Sequence, residues 1–317
     1  MEQTRGKHFA TNHNFDLTTT DKSSIIIIMN YLSNADRARI IAALVEGNSI
    51  NATSRMTGFS TNTITKLLVQ MGEACRAYHD EHVVSVSAKR VQCDEIWSFV
   101  GAKMANATEE QVANGWGDAW TWTALDADSK LVISYLVGQR GAVWAKVFME
   151  DVASRVCTRI QITTDGHRAY AKAIEGAFGM DVDYAMLIKL YGADSSLDRR
   201  YSAGECIGTQ TANLMGSPDP MHISTSYVER LNLTTRMQIR RFTRLTNAFS
   251  KKLENHEAAV ALHFMHYNFC RVHKTLRVTP AMEAGLAHHV WTVEELVAIL
   301  PEPVAKKRGT YKARISK

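Results

Sequence analysis

Nowhere in these 317 residues does an apolar run approach the ~20 residues that a membrane-spanning helix needs. The longest candidate, Ile25 to Met29, meets Asn30 at once, and nothing near the N-terminus reads as a secretion signal. The five cysteines (Cys75, Cys93, Cys157, Cys206, Cys270) are widely scattered and form no CxxC pair. That excludes a zinc ribbon and a disulfide framework, and fits a reducing cytosol. No segment repeats at a fixed period. What is present, 45% hydrophobic and 22% charged residues, describes a soluble globular protein of two domains. The net charge of +5 is unevenly spread: residues 221–280 hold ten Lys or Arg against three Glu, and Val304 to Lys317 adds six basic residues and no acid. Such segments usually face polyanions, most often nucleic acid, the alternative being a solvated helix face and a solubilising tail.

The chain divides naturally. Residues 1–22 are polar and patternless and read as a disordered N-terminus. Residues 23–80 read as a small all-α unit. Ser33 and Asp36 form a capping box ahead of Ile40, Ile41, Leu44 and Val45, and Gly47 stops that helix. A second helix runs from Ile50 to Thr57 and ends at Gly58. Ser60 caps a third, whose stripe Ile64, Leu67, Leu68, Met71 and Cys75 has helical spacing. This is helix-turn-helix spacing, and the third helix would present Thr61, Asn62, Thr65 and Lys66, short polar groups and a cation suited to base edges and phosphates. Three-helix bundles that bind nothing share the pattern.

From residue 88 the grammar changes. Strands are predicted at Val91–Gly101, Trp120–Leu125, Lys130–Val137, Arg159–Thr164 and Tyr184–Tyr191, with helices at 143–156 and 167–176. Residues 193–225, rich in Ser, Gly, Asp and Pro, show no periodicity and read as a long loop. A helix extends from Tyr227 to Phe242, then a long one from about Asn247 to Arg271. His263 and His266 lie among apolar residues of that last helix and read as structural rather than metal-binding.

Three acids stand out. Asp94 is interior to the first strand and shares a face with Gln92, while alternation turns Glu95 the other way. Asp165 ends a strand, where open α/β sheets place ligands; its other reading is an Asp-Gly turn or helix cap. Glu229 heads a basic helix on which Asn232, Arg236 and Arg240, at offsets 3, 7 and 11, share its face. Ser226 to Glu229 also fits a capping box. Two aspartates, a glutamate, water and phosphate oxygens suit Mg2+, and paired ions of this kind catalyse phosphoryl transfer.

The order and contexts of these acids resemble a bacterial DDE transposase with an RNase H-like core, closest to the insertion-sequence-one type. The matching blocks are CDEIWSFVG around Asp94, TTDGHRAY around Asp165, YVERLNLTTR with RLTNAFSKKLENH after Glu229, and HYNFCRVHKTLRVTPAMEAG at 266–285. The resemblance implies an α/β RNase H-like catalytic domain over 88–285, a mixed sheet flanked by helices, preceded by the helix-turn-helix domain and succeeded by a C-terminal helix and basic tail over 286–317. It implies Asp94, Asp165 and Glu229 as catalytic, metal-binding residues holding two Mg2+ ions, with Mn2+ able to substitute. It puts Arg236 against transposon-end DNA, with Arg240, Arg241 and Arg244 on phosphates. The implied partners are double-stranded DNA, as element terminal repeats and target, and further copies of the chain, at least as a dimer, in the bacterial nucleoid. Relatives often begin with a cysteine-based zinc finger, which this chain, with no cysteine before Cys75, does not carry. A regulator that binds DNA without chemistry and a nuclease that does not join strands are the alternative functions.

Overall fold

The computed structural model describes residues 32–192, 206–243 and 246–301. The proposed disordered N-terminus, Arg244 and the basic tail beyond residue 301 lie outside them. Three helices open this part of the chain: α1 (Asn34–Val45), α2 (Ile50–Thr57) and α3 (Thr61–His82). Ser33, Ser49 and Ser60 cap them by accepting from the backbone N–H groups of Asp36, Ala52 and Thr63. Gly58 closes α2 at φ +80°, a left-handed conformation that favours glycine.

Caps contribute about 1 kcal/mol each, whereas burying Ile64, Leu67, Leu68 and Met71 contributes about 1.5–3 kcal/mol per side chain. Packing therefore holds α3, and its principal partner is α8 (Leu253–Phe269). The segment α1–α3 is not set apart from the sheet and the later helices: Ile41, Ile64 and Met71 belong to one continuous apolar core with Val260, Phe264 and Trp122.

The sheet has β1 (Arg90–Val100), β2 (Gly117–Asp126), β3 (Val132–Gly138), β4 (Ile160–Thr164), β5 (Val182–Tyr191) and β6 (Cys206–Met215) in the order β3-β2-β1-β4-β5-β6. Only β1–β4 and β4–β5 are parallel. α4 (Glu109–Ala113) lies between β1 and β2, α5 (Ala142–Arg155) precedes β4, and α6 (Ala169–Phe178) precedes β5. After β6 come α7 (Ser226–Gln238), α8, α9 (Pro280–Glu283) and α10 (Val293–Ala298). A mixed six-stranded sheet flanked by helices is consistent with an RNase H-like core. No helix among the described residues is long and apolar enough to cross a membrane.

The structure departs from the sequence reading in several places; the long helix expected from about Asn247 to Arg271, for one, spans Leu253–Phe269. The predicted loop 193–225 contains the edge strand β6, whose side chains are largely exposed and so carry no apolar alternation. The helix carrying Glu229 ends at Gln238; Arg240–Phe242 forms a separate 3-10 turn, so Arg240 does not continue the face of Glu229. Finally, Ser226 is inside α7, not its cap.

Two polar links attach helices to the sheet. Asn268 of α8 accepts from the Val132 N–H (3.0 Å) and donates to the Val132 carbonyl (2.9 Å), satisfying the backbone of edge strand β3. Gln92 of β1 accepts from the N–H groups of Tyr227 (2.9 Å) and Val228 (3.1 Å), capping the start of α7 from 135 residues away.

The contact between α3 and α8 is closest at Gly72, where a Cβ would lie 2.3 Å from Ala258 Cα and 2.4 Å from its Cβ. Gly72→Ala should therefore destabilise the fold by about 2 kcal/mol through overpacking, despite a helix-propensity gain of up to about 1 kcal/mol. The check is a lower urea midpoint at an unchanged m-value.

Candidate active site

Pairing of β1 with β4 ends at Cys93 opposite Thr164. Beyond that pair the two strands part, at the point where the connectivity of the sheet reverses, the position at which open α/β sheets take ligands. Asp94, Glu95 and Asp165 are the next residues on the two strands. Each offers a carboxylate oxygen, and the three oxygens lie within 4.8 Å of one another.

Asp94 is half-buried. One oxygen accepts from the Glu95 N–H (2.9 Å) and the other from Asn232 Nδ2 of α7 (2.7 Å). Burial, and then the charge of Asp165, push its carboxyl up to about 7. Asp165 Oδ1 accepts from the His167 N–H (2.9 Å), the Asx geometry also expected of an Asp-Gly turn. Glu95 departs from simple alternation: its longer side chain brings a carboxylate into the cluster although its Cα faces away. Its side chain is 1% exposed, and burial together with the Asp165 charge pushes it up to about 8. Arg140 Nη2 approaches Glu95 Oε2 (3.5 Å) and Asp165 Oδ2 (4.0 Å) while its guanidinium lies over the Trp120 ring.

Glu229 sits in the first turn of α7 across the same open cleft, which Asp94, Asp165, Arg140, Lys189 and Thr225 also line. It is not in the tight carboxylate cluster. Thr225 Oγ1 donates to Glu229 Oε1 (2.5 Å), and Lys189 Nζ donates to Oε2 (2.5 Å). Burial would lower the Lys189 ammonium, but the hydrogen bond and charge of Glu229 outweigh it and lift the group above its ordinary value. The cleft thus brings the three sequence-predicted acids together. Arg140 and Lys189 were missed, because no local spacing marks them; Glu95 was turned away by strand alternation, and Gln92, placed on the face of Asp94, was given no role.

Of the residues expected to meet DNA, Thr61, Asn62 and Lys66 are exposed on α3, and Thr65 donates its hydroxyl proton to the Thr61 carbonyl (2.8 Å). Arg236 is half-buried in the last turn of α7. Arg240 is exposed and Arg241 half-buried, and both line a polar cleft with Thr65, Asn51 and Lys251. Desolvation lowers the Arg241 guanidinium to about 10. His263 and His266 are buried in α8, pushed down by burial to about 3 and 4, and join no metal-type cluster among the described residues.

Among solved structures, the chain is similar to the piggyBac transposase synaptic complex with hairpin DNA (TM-score 0.39, 10% identity, 84% of this chain and 69% of that one). It is also similar to the Mos1 transposase paired-end complex with left transposon end (TM-score 0.20, 14% identity, 51% and 61%). A third is the Mos1 strand transfer complex (TM-score 0.22, 11% identity, 78% and 79%). No protein-family model and no curated protein matches the sequence.

The raised carboxyls of Asp94 and Glu95 set the direction of a pH effect. Below about pH 4 the folded and unfolded chains both hold these protons and nothing is lost. As pH rises through the folded values of about 7 and 8, the unfolded chain has already released its protons, so stability falls. The buried His256, His263 and His266, held at about 3 to 4, act in the opposite direction below pH ~6.5. The unfolded chain still holds histidine protons near pH ~6.5, so the acids are isolated by comparison with Glu95→Gln, in which the histidines are unchanged. In thermal melts of metal-free protein from pH 6.5 to 8, Glu95→Gln should show a less negative dependence of Tm on pH than wild type, and a Tm higher by about 3 °C or more at pH 8.

Proposed function

We propose that this chain is a DDE-type transposase of a bacterial insertion sequence, cutting element ends and joining them to target DNA. The observation that carries the reading is the convergence of Asp94 from a strand interior, Asp165 from a strand end and Glu229 from a helix on one open cleft. α7 is registered on β1 by Gln92, and its Asn232 reaches Asp94, so the strand acid and the helix acid share one docking.

The donor set fits a divalent cation. It consists of hard carboxylate oxygens, and one of them, Glu95 Oε1, is buried with little compensation among the described residues. Asp94, Asp165 and Glu229 would hold Mg2+ or Mn2+, which when bound supplies Lewis-acid stabilisation and a nucleophile of lowered pKa. The chain's own groups orient this machinery. Asn232 and the Glu95 N–H fix the two oxygens of Asp94, the His167 N–H fixes Asp165, and Thr225 steadies Glu229. Arg140, Arg168 and Lys189, cations that line the cleft, suit a phosphodiester placed beside the acids. Water attacking at the element end releases a 3′-hydroxyl, which then attacks a target phosphate in line, with no covalent protein–DNA intermediate.

The exposed groups of α3 and the cleft with Arg240 and Lys251 supply the DNA-binding half of the proposal, with Arg236 near the cut end. Two coordinated end reactions require at least a dimer. The protein would act in the cytoplasm, at the nucleoid.

The test is strand transfer on a labelled fragment carrying the element's terminal sequence, in Mg2+ or Mn2+, with intact protein and Glu229→Gln. Joined product should fall by more than the roughly 10–100-fold typical of altering an outer-shell partner, with DNA binding retained. Cleavage without joining by the intact protein would instead indicate a nuclease, and binding without either reaction a regulator. Separately, Lys66→Gln and Arg240→Gln should each weaken DNA binding and reduce the slope of log K against log[salt] by about 1, read by fluorescence anisotropy across a salt series.

A further inference from the structure

We infer that Glu95 is a direct ligand of the divalent cation held by Asp94 and Asp165, a fourth acid in a site otherwise assigned to three. The inference rests on the metal-dependent function proposed for this cleft and deepens it.

Three observations carry it. Carboxylate oxygens of Asp94, Glu95 and Asp165 lie within 4.8 Å of one another, a spacing that a single cation can bridge, whereas Glu229 stands outside the group. The Glu95 side chain is 1% exposed, and its Oε1 is buried, the carboxylate meeting only the Tyr170 hydroxyl and a long contact to Arg140 among the described residues. A buried carboxylate with so little compensation is costly, and a cation would supply it. The third observation is the backbone. Because the β1–β4 ladder stops at Cys93 and Thr164, β4 does not flank Asp94 and Glu95, and neighbouring side chains from opposite faces can reach the same gap.

The nearest competing explanation is a structural ion pair with Arg140. That contact is long, 3.5 Å to Oε2, and Arg140 is shared with Asp165 at 4.0 Å, so one guanidinium serves two carboxylates and leaves Oε1 untouched. The buried Tyr170 hydroxyl is the other group that interacts with Glu95; it acts to lower the carboxyl but does not offset burial and the Asp165 charge, which leave it raised. One cation facing three crowded carboxylates leaves a net negative pocket, and hard oxygen donors at this spacing favour Mg2+ or Mn2+. Glu229, already satisfied by Lys189 and Thr225, does not relieve that charge.

The experiment titrates Mn2+ into the metal-free full-length protein, without DNA, and tracks the free-ion electron paramagnetic resonance signal, with thermal melts of each variant to establish folding. Wild type, Glu95→Gln, Glu95→Asp, Asp94→Asn and Glu229→Gln are compared. Glu95→Gln should weaken Mn2+ binding at least tenfold, in the manner of Asp94→Asn. Glu95→Asp, which keeps the charge but shortens the reach, should fall between it and wild type, and both should lose part of the Mn2+-induced rise in Tm. Folded Glu95→Gln with wild-type affinity, beside an impaired Asp94→Asn, would overturn the role of Glu95 and leave the three-acid reading standing. Wild type that takes up no Mn2+ would remove both together.

Discussion

Crowded carboxylates at the parting of β1 and β4 are the constraint on which the rest of this structure depends. Asp94, Glu95 and Asp165 bring like charges within 4.8 Å, in a setting that raises the first two to about 7 and 8. Such a site does not stabilise the fold that contains it; it must be held open by packing elsewhere. Beneath it, Trp122, Tyr170 and Phe148 are fully buried and joined by ring contacts, Trp122 lying 5.8 Å from Phe148 and 5.4 Å from Tyr170. Those aromatic contacts, with the strand ladder, supply a floor that repulsion among the acids does not distort.

The helices serve the same end from two sides. α8 is buried around most of its circumference, as expected of a helix enclosed by α3 and the sheet rather than laid on a surface. Its Asn268 is the device that fastens it to the edge of β3, and Gly72 lets α3 approach it closely. The segment α1–α3 is consequently a continuation of the core that supports the sheet. α7 is fastened differently, by a strand glutamine at its N-terminus and an asparagine onto a strand aspartate. Side chains at 92 and 94 point the same way because of strand alternation, so one periodicity both caps the helix and presents the acid.

Much of this was legible in the sequence, where local physics decides. Ser33 and Ser60 cap where a serine ahead of an apolar period should, and the stripe Ile64, Leu67, Leu68, Met71, Cys75 is buried throughout. The succession of strands through β5 can be read from apolar runs punctuated by turns. What could not be read depends on distant partners. β6 is an exposed edge whose polar residues carry no alternation, and it is recognisable only from its ladder to β5. The end of α7 at Gln238 is equally silent, since Ile239 and Phe242 keep an apolar spacing while the backbone leaves the helix to bury them. Ser226 had the right chemistry for a cap, but Gln92 satisfies those N–H groups instead, which moves the start of the helix.

Glu95 shows most clearly where pattern ends and structure begins. Alternation assigns it to the face opposite Asp94, and for a short side chain inside a continuous sheet that assignment would stand. Two circumstances defeat it: the neighbouring strand has ended, and a glutamate carries its carboxylate one methylene further than an aspartate. The Cα direction is then a poor guide to where the charge resides. Glu229 illustrates the converse. Its spacing from Asn232 predicted a shared face, and Asn232 does reach Asp94, yet Glu229 itself is drawn to Lys189 on β5, which no helical periodicity could identify. Helical period fixes which side chains share a face; the charges across the cleft decide which of them meet.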